Sequence, residues 1–325
     1  MEKLKMGILA CGGIAGIMAD TISHMEQVEM VAAGARDYER AKKFADQYGF
    51  KRAYGSYEEL VADEEVELIY VASPHSHHYE HIKLCLEHGK HVLCEKAFTV
   101  NAKQAEEVLK LAKEKNLLLT EAMWVRYIPM CETLKEVIAS GVIGEISTLT
   151  ANLHYVIDGN ERIYKPELAG GALLDVGIYA LTFASICFGD DVARITSDAV
   201  MFDTGVDAQS TMIVTYKDGK VAICSGGTGG LSDRQGILYG RQGMIVVENI
   251  NNFESIKVYN LNRELVKTYE APPQISGYEY EVEACLKAIR AGKTECDEMP
   301  HAETVLMMKR MDGIRESLKI RYPFE

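Results

Sequence analysis

Three short runs of this sequence carry residue types that could do chemistry. In His91–Asn101, HVLCEKAFTVN, a carboxylate and an ammonium, Glu95 and Lys96, stand directly after a short apolar run. In ILACGGIAG, the residues Cys11, Gly12, Gly13, Ile14 and Ala15 lie between a strand pattern and a helix pattern. Glycines there allow a tight turn and a close approach of backbone amides to a pyrophosphate at the helix N-terminus. The run follows G-x-G-x-x-A, except that Ala10 holds the first glycine position, and taken alone it is a weak signal. In GGALLDVGIY, Asp175 and Tyr179 are four residues apart, so a helix would put both on one face. Gly170 and Gly171 before them allow close approach of backbone to a ligand.

The end of the second strand pattern bears on the cofactor. An acidic residue there takes the ribose hydroxyl of NAD, whereas an arginine accommodates the extra phosphate of NADP. The run GARDYER offers Arg36 first, then Asp37 and Arg40. Arg36 is a planar, permanently charged fork suited to phosphate, and Asp37 suits the cap of the next helix. NADP is therefore the expected cofactor, with NAD as the alternative. The run HHYEH, His77 to His81, matches an inverted zinc-protease pattern. It lacks a third ligand, and no metal site is expected.

The elements that must position these residues follow one grammar up to about residue 122. Strand patterns at KMGILA, VEMVAAGA, VELIYVAS, HVLCEK and LLLTEAM alternate with helix patterns. Such alternation implies βαβ units in a parallel, doubly wound sheet. Beyond it come a helix at CETLKEVIASG, another through LLDVGIYALTFASICFG, and then a series of strands. Asp218–Gly219 between two of these strands signals a hairpin, and two helices close the chain. The fold class is α/β: an N-terminal Rossmann domain over 1–122 and an α+β domain over 123–325. The second domain is built on a large, mainly antiparallel open sheet.

Composition narrows the function classes. With 325 residues, 47% hydrophobic and 26% charged, the chain can bury cores of ordinary size. A net charge of -13 argues against nucleic acid or an anionic membrane as partner. No apolar run reads as a membrane span, and the eight cysteines show no C-x-x-C pair. A reduced, cytoplasmic setting is expected.

With VASPHSHH, LCEKAFTVNA, EAMWVRYIPM, GGALLDVGIYAL and DTGVDAQSTM in order along it, the chain resembles the glucose–fructose oxidoreductase / inositol dehydrogenase (Gfo/Idh/MocA) family. Within that family it is similar to the dimeric dihydrodiol dehydrogenases and related sugar-active members. The family's usual proline after Glu-Lys is Ala97 here.

The resemblance implies that Lys96 lies near the nicotinamide and the reacting carbon, with Glu95 at the same strand end. It implies that Tyr179 is the acid/base, with Asp175 beside it and Lys96 as the ammonium that favours the phenolate. It further implies that Ser73, Pro74, His75 and His78 border the cofactor, and that Trp124 and Arg126 frame the nicotinamide and substrate. The expected activity is NAD(P)-dependent hydride transfer at a hydroxyl or carbonyl carbon of a sugar, cyclitol or trans-dihydrodiol. The expected partners are that small polyol or carbonyl compound and a second copy of the chain joined through the open sheet, as a homodimer or a dimer of dimers. Two rival readings share the fold: a cofactor-sensing regulator without turnover, and an NAD-assisted glycosidase.

Overall fold

The structure, a computed structural model, describes residues 2–325. The chain opens with β1 (Leu4–Leu9), α1 (Gly13–Ser23), β2 (Val28–Gly34), α2 (Tyr38–Tyr48), β3 (Arg52–Tyr54) and α3 (Tyr57–Ala62). It continues with β4 (Leu68–Val71), α4 (His75–Glu87), β5 (His91–Glu95), α5 (Ala102–Lys115) and β6 (Leu119–Ala122). The six strands pair in parallel in the order β3-β2-β1-β4-β5-β6. A parallel sheet covered on both faces needs continuous apolar strands, and Leu68, Ile69, Tyr70 and Val71 of β4 are all buried. The order reverses between β1 and β4, the switch point at which doubly wound sheets bind ligands.

Local signals set the helix ends. Asp37, Ser56 and Asn101 each accept the backbone N–H three residues on, closing the starts of α2, α3 and α5. Gly49 ends α2 in the left-handed region at φ 85°. The β3–α3 pair was not expected from sequence, because three residues are too short for a readable apolar run. Side-chain bonds hold it instead: Arg52 donates to Asp63 at 2.8 and 3.2 Å, and the Tyr54 hydroxyl donates to Asp63 at 3.0 Å.

The second half comprises α6 (Pro129–Ala139), β7 (Ile146–His154), α7 (Glu161–Tyr164) and a π-helical turn, Leu173–Gly177, that runs into α8 (Ile178–Phe188). Then follow β8 (Val192–Met201), β9 (Asp207–Tyr216), β10 (Val221–Gly227) and β11 (Gly236–Gly240). The sheet is completed by β12 (Gly243–Glu248), β13 (Ser255–Asn260) and β14 (Leu265–Glu270). Its eight strands run β14-β13-β12-β11-β7-β10-β9-β8, with β7 and β10 parallel and the other neighbours antiparallel. The β9–β10 hairpin turns at Asp218–Gly219, where Gly219 takes φ 91°.

Alternation sorts this sheet into two faces. Met212, Val214 and Tyr216 are buried on the face that carries α8, while Ile213 and Ile223 stay exposed on the other. The stretch Pro166–Phe188 has a mean hydropathy of 1.7 over its apolar window and is long enough to cross a membrane by length and composition. The sequence reading expected no apolar run of spanning length, and this stretch is the exception to it. In the fold 83% of that window is buried, as the core helix of this half.

The last elements are α9 (Glu279–Arg290) and α10 (His301–Leu318). The chain forms two compact units: Met1–Tyr127 with Gln274–Met308, and Ile128–Pro273 with Lys309–Glu325. Where the sequence reading expected domains over 1–122 and 123–325, the compact units divide after Tyr127, and segment 274–308 packs with the first. Pairing energy explains the return. The Leu119 N–H of edge strand β6 bonds the Thr294 carbonyl at 3.1 Å, and the Thr304 hydroxyl donates to Glu121 at 2.9 Å. Arg290 donates to Glu67 at 3.0 Å.

Candidate functional site

In the first unit the nucleotide turn keeps its shape despite Ala10. That residue takes φ 76°, bonds the Gly34 carbonyl through its N–H at 3.0 Å, and accepts the Gly12 N–H at 3.1 Å. The left-handed conformation costs a non-glycine residue about 1 kcal/mol, which this turn tolerates. A Cβ placed on Gly12 or Gly13 would meet nothing within 4 Å, and no side chain caps α1. Open space over an uncapped helix start fits a pyrophosphate. Ala15, behind the turn, is fully buried, and the Cys11 thiol, pushed up to about 11 by burial, points to the Gly34 carbonyl.

The charged residues after β2 divide their roles. Arg40, expected at the cofactor, donates to the Cys11 carbonyl from Nε at 3.2 Å and from Nη2 at 2.9 Å, so it braces the nucleotide turn. Asp37 caps α2, accepting the Arg40 N–H at 2.9 Å, rather than facing a ribose. Arg36 is exposed. Its charge reaches His77 and His81, whose pKa values are lowered first by burial and then by the neighbouring positive groups. The His81 ring also pairs with Ser73 Oγ at 2.8 Å and lies edge-on to Tyr57.

At the end of β5 the two opposite charges part. Glu95 turns inward, 6% exposed, and accepts the Tyr70 hydroxyl and, at 3.2 Å, the Lys96 N–H. Burial, then the Glu95 charge, raises the Tyr70 phenol well above its usual range. Lys96 remains half-buried, and the Lys96–Ala97 peptide is cis.

Pro74 sits at the N-cap of α4, and His75 is buried just after it. His78, expected to border the cofactor, is fully buried with both ring nitrogens on backbone carbonyls; no ring nitrogen is left over for a ligand. Trp124 stacks on Tyr278 with centroids 4.3 Å apart, and Arg126 pairs with Glu303 at 2.6 Å. Tyr70, Tyr278 and Glu303 escaped the sequence reading, since no spacing links them to their partners.

In the second unit, Asp175 belongs to the π-helical turn and Tyr179 to the first turn of α8, both 5% exposed. Arg162 grips the Asp175 carboxylate with two bonds, at 2.8 and 3.3 Å. This arginine was missed; it lies 13 residues upstream, outside any helical spacing. Asp207 accepts the Leu173 N–H at 2.7 Å and the Ser210 hydroxyl, which anchors the start of the same helix.

The expectation for Gly170 and Gly171 changes. A Cβ on Gly170 would lie 2.6 Å from the Ile163 carbonyl oxygen, and one on Gly171 2.3 Å from Asp207 Oδ1. Their close approach is to the protein's own chain. Likewise Gly226 of β10 lies against Gly177, where a Cβ would sit 2.5 Å from Cα, so the helix rests directly on the sheet.

A six-stranded doubly wound sheet with an open glycine turn at its switch point defines a dinucleotide-binding protein. Residues 4–123 match the family model described as oxidoreductase family, NAD-binding Rossmann fold, and residues 131–246 match the GFO/IDH/MocA C-terminal domain. The trans-1,2-dihydrobenzene-1,2-diol dehydrogenase of Xenopus tropicalis is 31% identical, covering 98% of this chain and 99% of its own. A D-xylose 1-dehydrogenase (NADP(+)) of Hypocrea jecorina is 31% identical, covering 98% and 93%. Among solved structures, a 3-ketoreductase from Actinomadura kijaniata in complex with NADP and TDP-benzene superposes with a TM-score of 0.89. It shares 24% identity over 97% of this chain and 98% of its own. The chain belongs to the Gfo/Idh/MocA family and is an NAD(P)-dependent oxidoreductase.

Proposed function

We propose that this enzyme interconverts a hydroxyl and a carbonyl at one carbon of a sugar, cyclitol or trans-dihydrodiol, with NADP preferred over NAD. The dehydrogenase names of the relatives at 31% identity support the substrate range. The observation that carries the cofactor choice is Arg36, exposed at the end of β2 while Asp37 is committed to capping α2. When bound, the nicotinamide supplies or takes the hydride. Gly12, Gly13, Ile14 and the start of α1 hold the pyrophosphate, and Arg36 meets the 2′-phosphate. Tyr179 exchanges the proton with the substrate oxygen, and Lys96 is its electrostatic partner. Asp175, held by Arg162, orients the same reacting group.

The test follows NADPH and NADH oxidation over a panel of dicarbonyls, aldoses, inositols and dihydrodiols. Arg36→Ala should raise the KM for NADPH by about 10- to 100-fold, the worth of a charged hydrogen bond, and leave NADH nearly unchanged. Equal effects on both cofactors would refute this role.

The same proposal includes a homodimer through the open face of the eight-stranded sheet. Ile213 and Ile223 are paired across β9 and β10 and are 44% and 42% exposed, with Tyr239 at 38%. An apolar sheet face of this kind invites cover. Ile213→Lys with Ile223→Lys should convert the dimer to monomer in light scattering at micromolar concentration; an unchanged mass would move the interface elsewhere.

A further inference from the structure

The run HHYEH, His77 to His81, takes no part in the chemistry proposed above. It folds into a row of rings. His77 and His81 stand one turn apart on α4 with centroids 5.7 Å apart, and His81 lies edge-on to Tyr57 of α3 at 4.7 Å. Burial raises the Tyr57 phenol, and Arg36, Cys11 and Arg40 act on it next, so the row begins beside the nucleotide turn. The charge of Arg36 also reaches both histidines. The sheet brings these segments together: Arg36 follows β2, the glycine turn follows β1 and α4 follows β4, and the three strands are neighbours.

Each ring is held at one nitrogen. Ser76 Oγ lies 2.8 Å from His77 Nδ1, and Ser73 Oγ lies 2.8 Å from His81 Nδ1. A serine hydroxyl that donates to Nδ1 leaves the single proton of a neutral ring on Nε2. Neither Nε2 has a hydrogen-bond partner among the described residues. Burial, then Arg36, keeps His77 below the usual histidine range, so the ring is neutral at pH 7. It is a donor without charge.

Arg36 is exposed, and the carboxylate beside it in sequence, Asp37, is committed to capping α2. A permanent cation and a fixed N–H donor thus share one neighbourhood, with no carboxylate paired to either among the described residues. That combination suits a phosphate, which takes charge from one group and a directed bond from the other. The start of α4, which no side chain caps, adds its partial positive charge.

We propose that His77 is a specificity-determining residue, the second holder of the cofactor's 2′-phosphate: its Nε2–H donates to a phosphate oxygen while Arg36 supplies the charge. This rests on the NADP preference proposed above and adds a residue to it. The two groups differ in what binding costs them. An exposed arginine gives up side-chain freedom to grip a ligand, whereas His77 is already held by Ser76 and packed against His81, so less order is imposed when its bond forms.

Calorimetric binding of NADP+ and NAD+ to the full chain tests this without a substrate. His77→Ala should weaken NADP+ binding by about 5- to 10-fold, the worth of one hydrogen bond, and leave NAD+ within about twofold. His77→Gln keeps an N–H donor and should hold NADP+ within about twofold of the wild type. A disturbed fold weakens both nucleotides alike, so the ratio of the two constants reads the contact itself. Equal weakening of both by His77→Ala, or no effect on either, would overturn the proposal. So would a His77→Gln protein that binds NADP+ no better than His77→Ala. Arg36→Ala separates the two levels of failure. If it weakens NADP+ selectively and His77→Ala does not, the role of His77 alone is refuted; if neither variant discriminates, the NADP preference falls with it.

Discussion

Tyr179→Phe should lower kcat by about 100- to 10,000-fold, the usual contribution of a general acid or base, while NADPH affinity stays within about twofold. The ring fills the same volume, so the fold is preserved: Tyr179 is 5% exposed in the first turn of α8, which itself rests on the sheet through Gly177 and Gly226. Only the hydroxyl is removed. Lys96→Met should fall in the same range if the ammonium assists the same proton transfer, and the double variant should lose little more than either single one. Stopped-flow turnover on one panel substrate, with NADPH binding followed by fluorescence, gives both numbers. Full activity in Tyr179→Phe would transfer the acid/base role to another group.

The second large effect concerns stability. Glu281 on α9 is fully buried, and neither of its carboxylate oxygens has a hydrogen-bond partner among the described residues. Burial first, then the Glu95 charge, raises its pKa well above the usual carboxylate range. Glu121 of β6 is raised to about 7, again mainly by burial, against the opposing pull of Thr304 and Arg126.

Both folded-state values lie above the unfolded value of about 4.3. Their contribution to stability is therefore complete below that pH and is lost as pH rises toward the folded values. Above about 4.3 the folded protein keeps a proton on Glu281 that the unfolded chain releases, so stability falls as pH rises. Glu281→Gln should remove that loss, raising the melting temperature at pH 7 by several degrees relative to its effect at pH 5. Calorimetry across this range decides it. Equal shifts at both pH values would mean that Glu281 is ionised in the folded protein.

The two stability and rate predictions draw on different layers of information. That Asp175 and Tyr179 lie on one helical stretch was legible in the sequence, because a spacing of four residues is local. The pairing of Arg162 with Asp175 was not, nor was the burial of Glu281, because contacts across long stretches of chain leave no periodic trace. Arg40 shows the same limit at short range: its type suited phosphate, and only the fold turned it onto the Cys11 carbonyl.

By itself the sequence determined the alternation of strands and helices, the glycine turn and the helix caps. These depend on side-chain period, backbone freedom and hydrogen bonds that span three or four residues. Tertiary structure alone decided that segment 274–308 returns to the first unit, that Glu95 turns inward to Tyr70 while Lys96 does not, and that His78 is spent on two turns. Each of those outcomes turns on which buried polar group finds a partner, and partners are chosen by the fold's long-range packing.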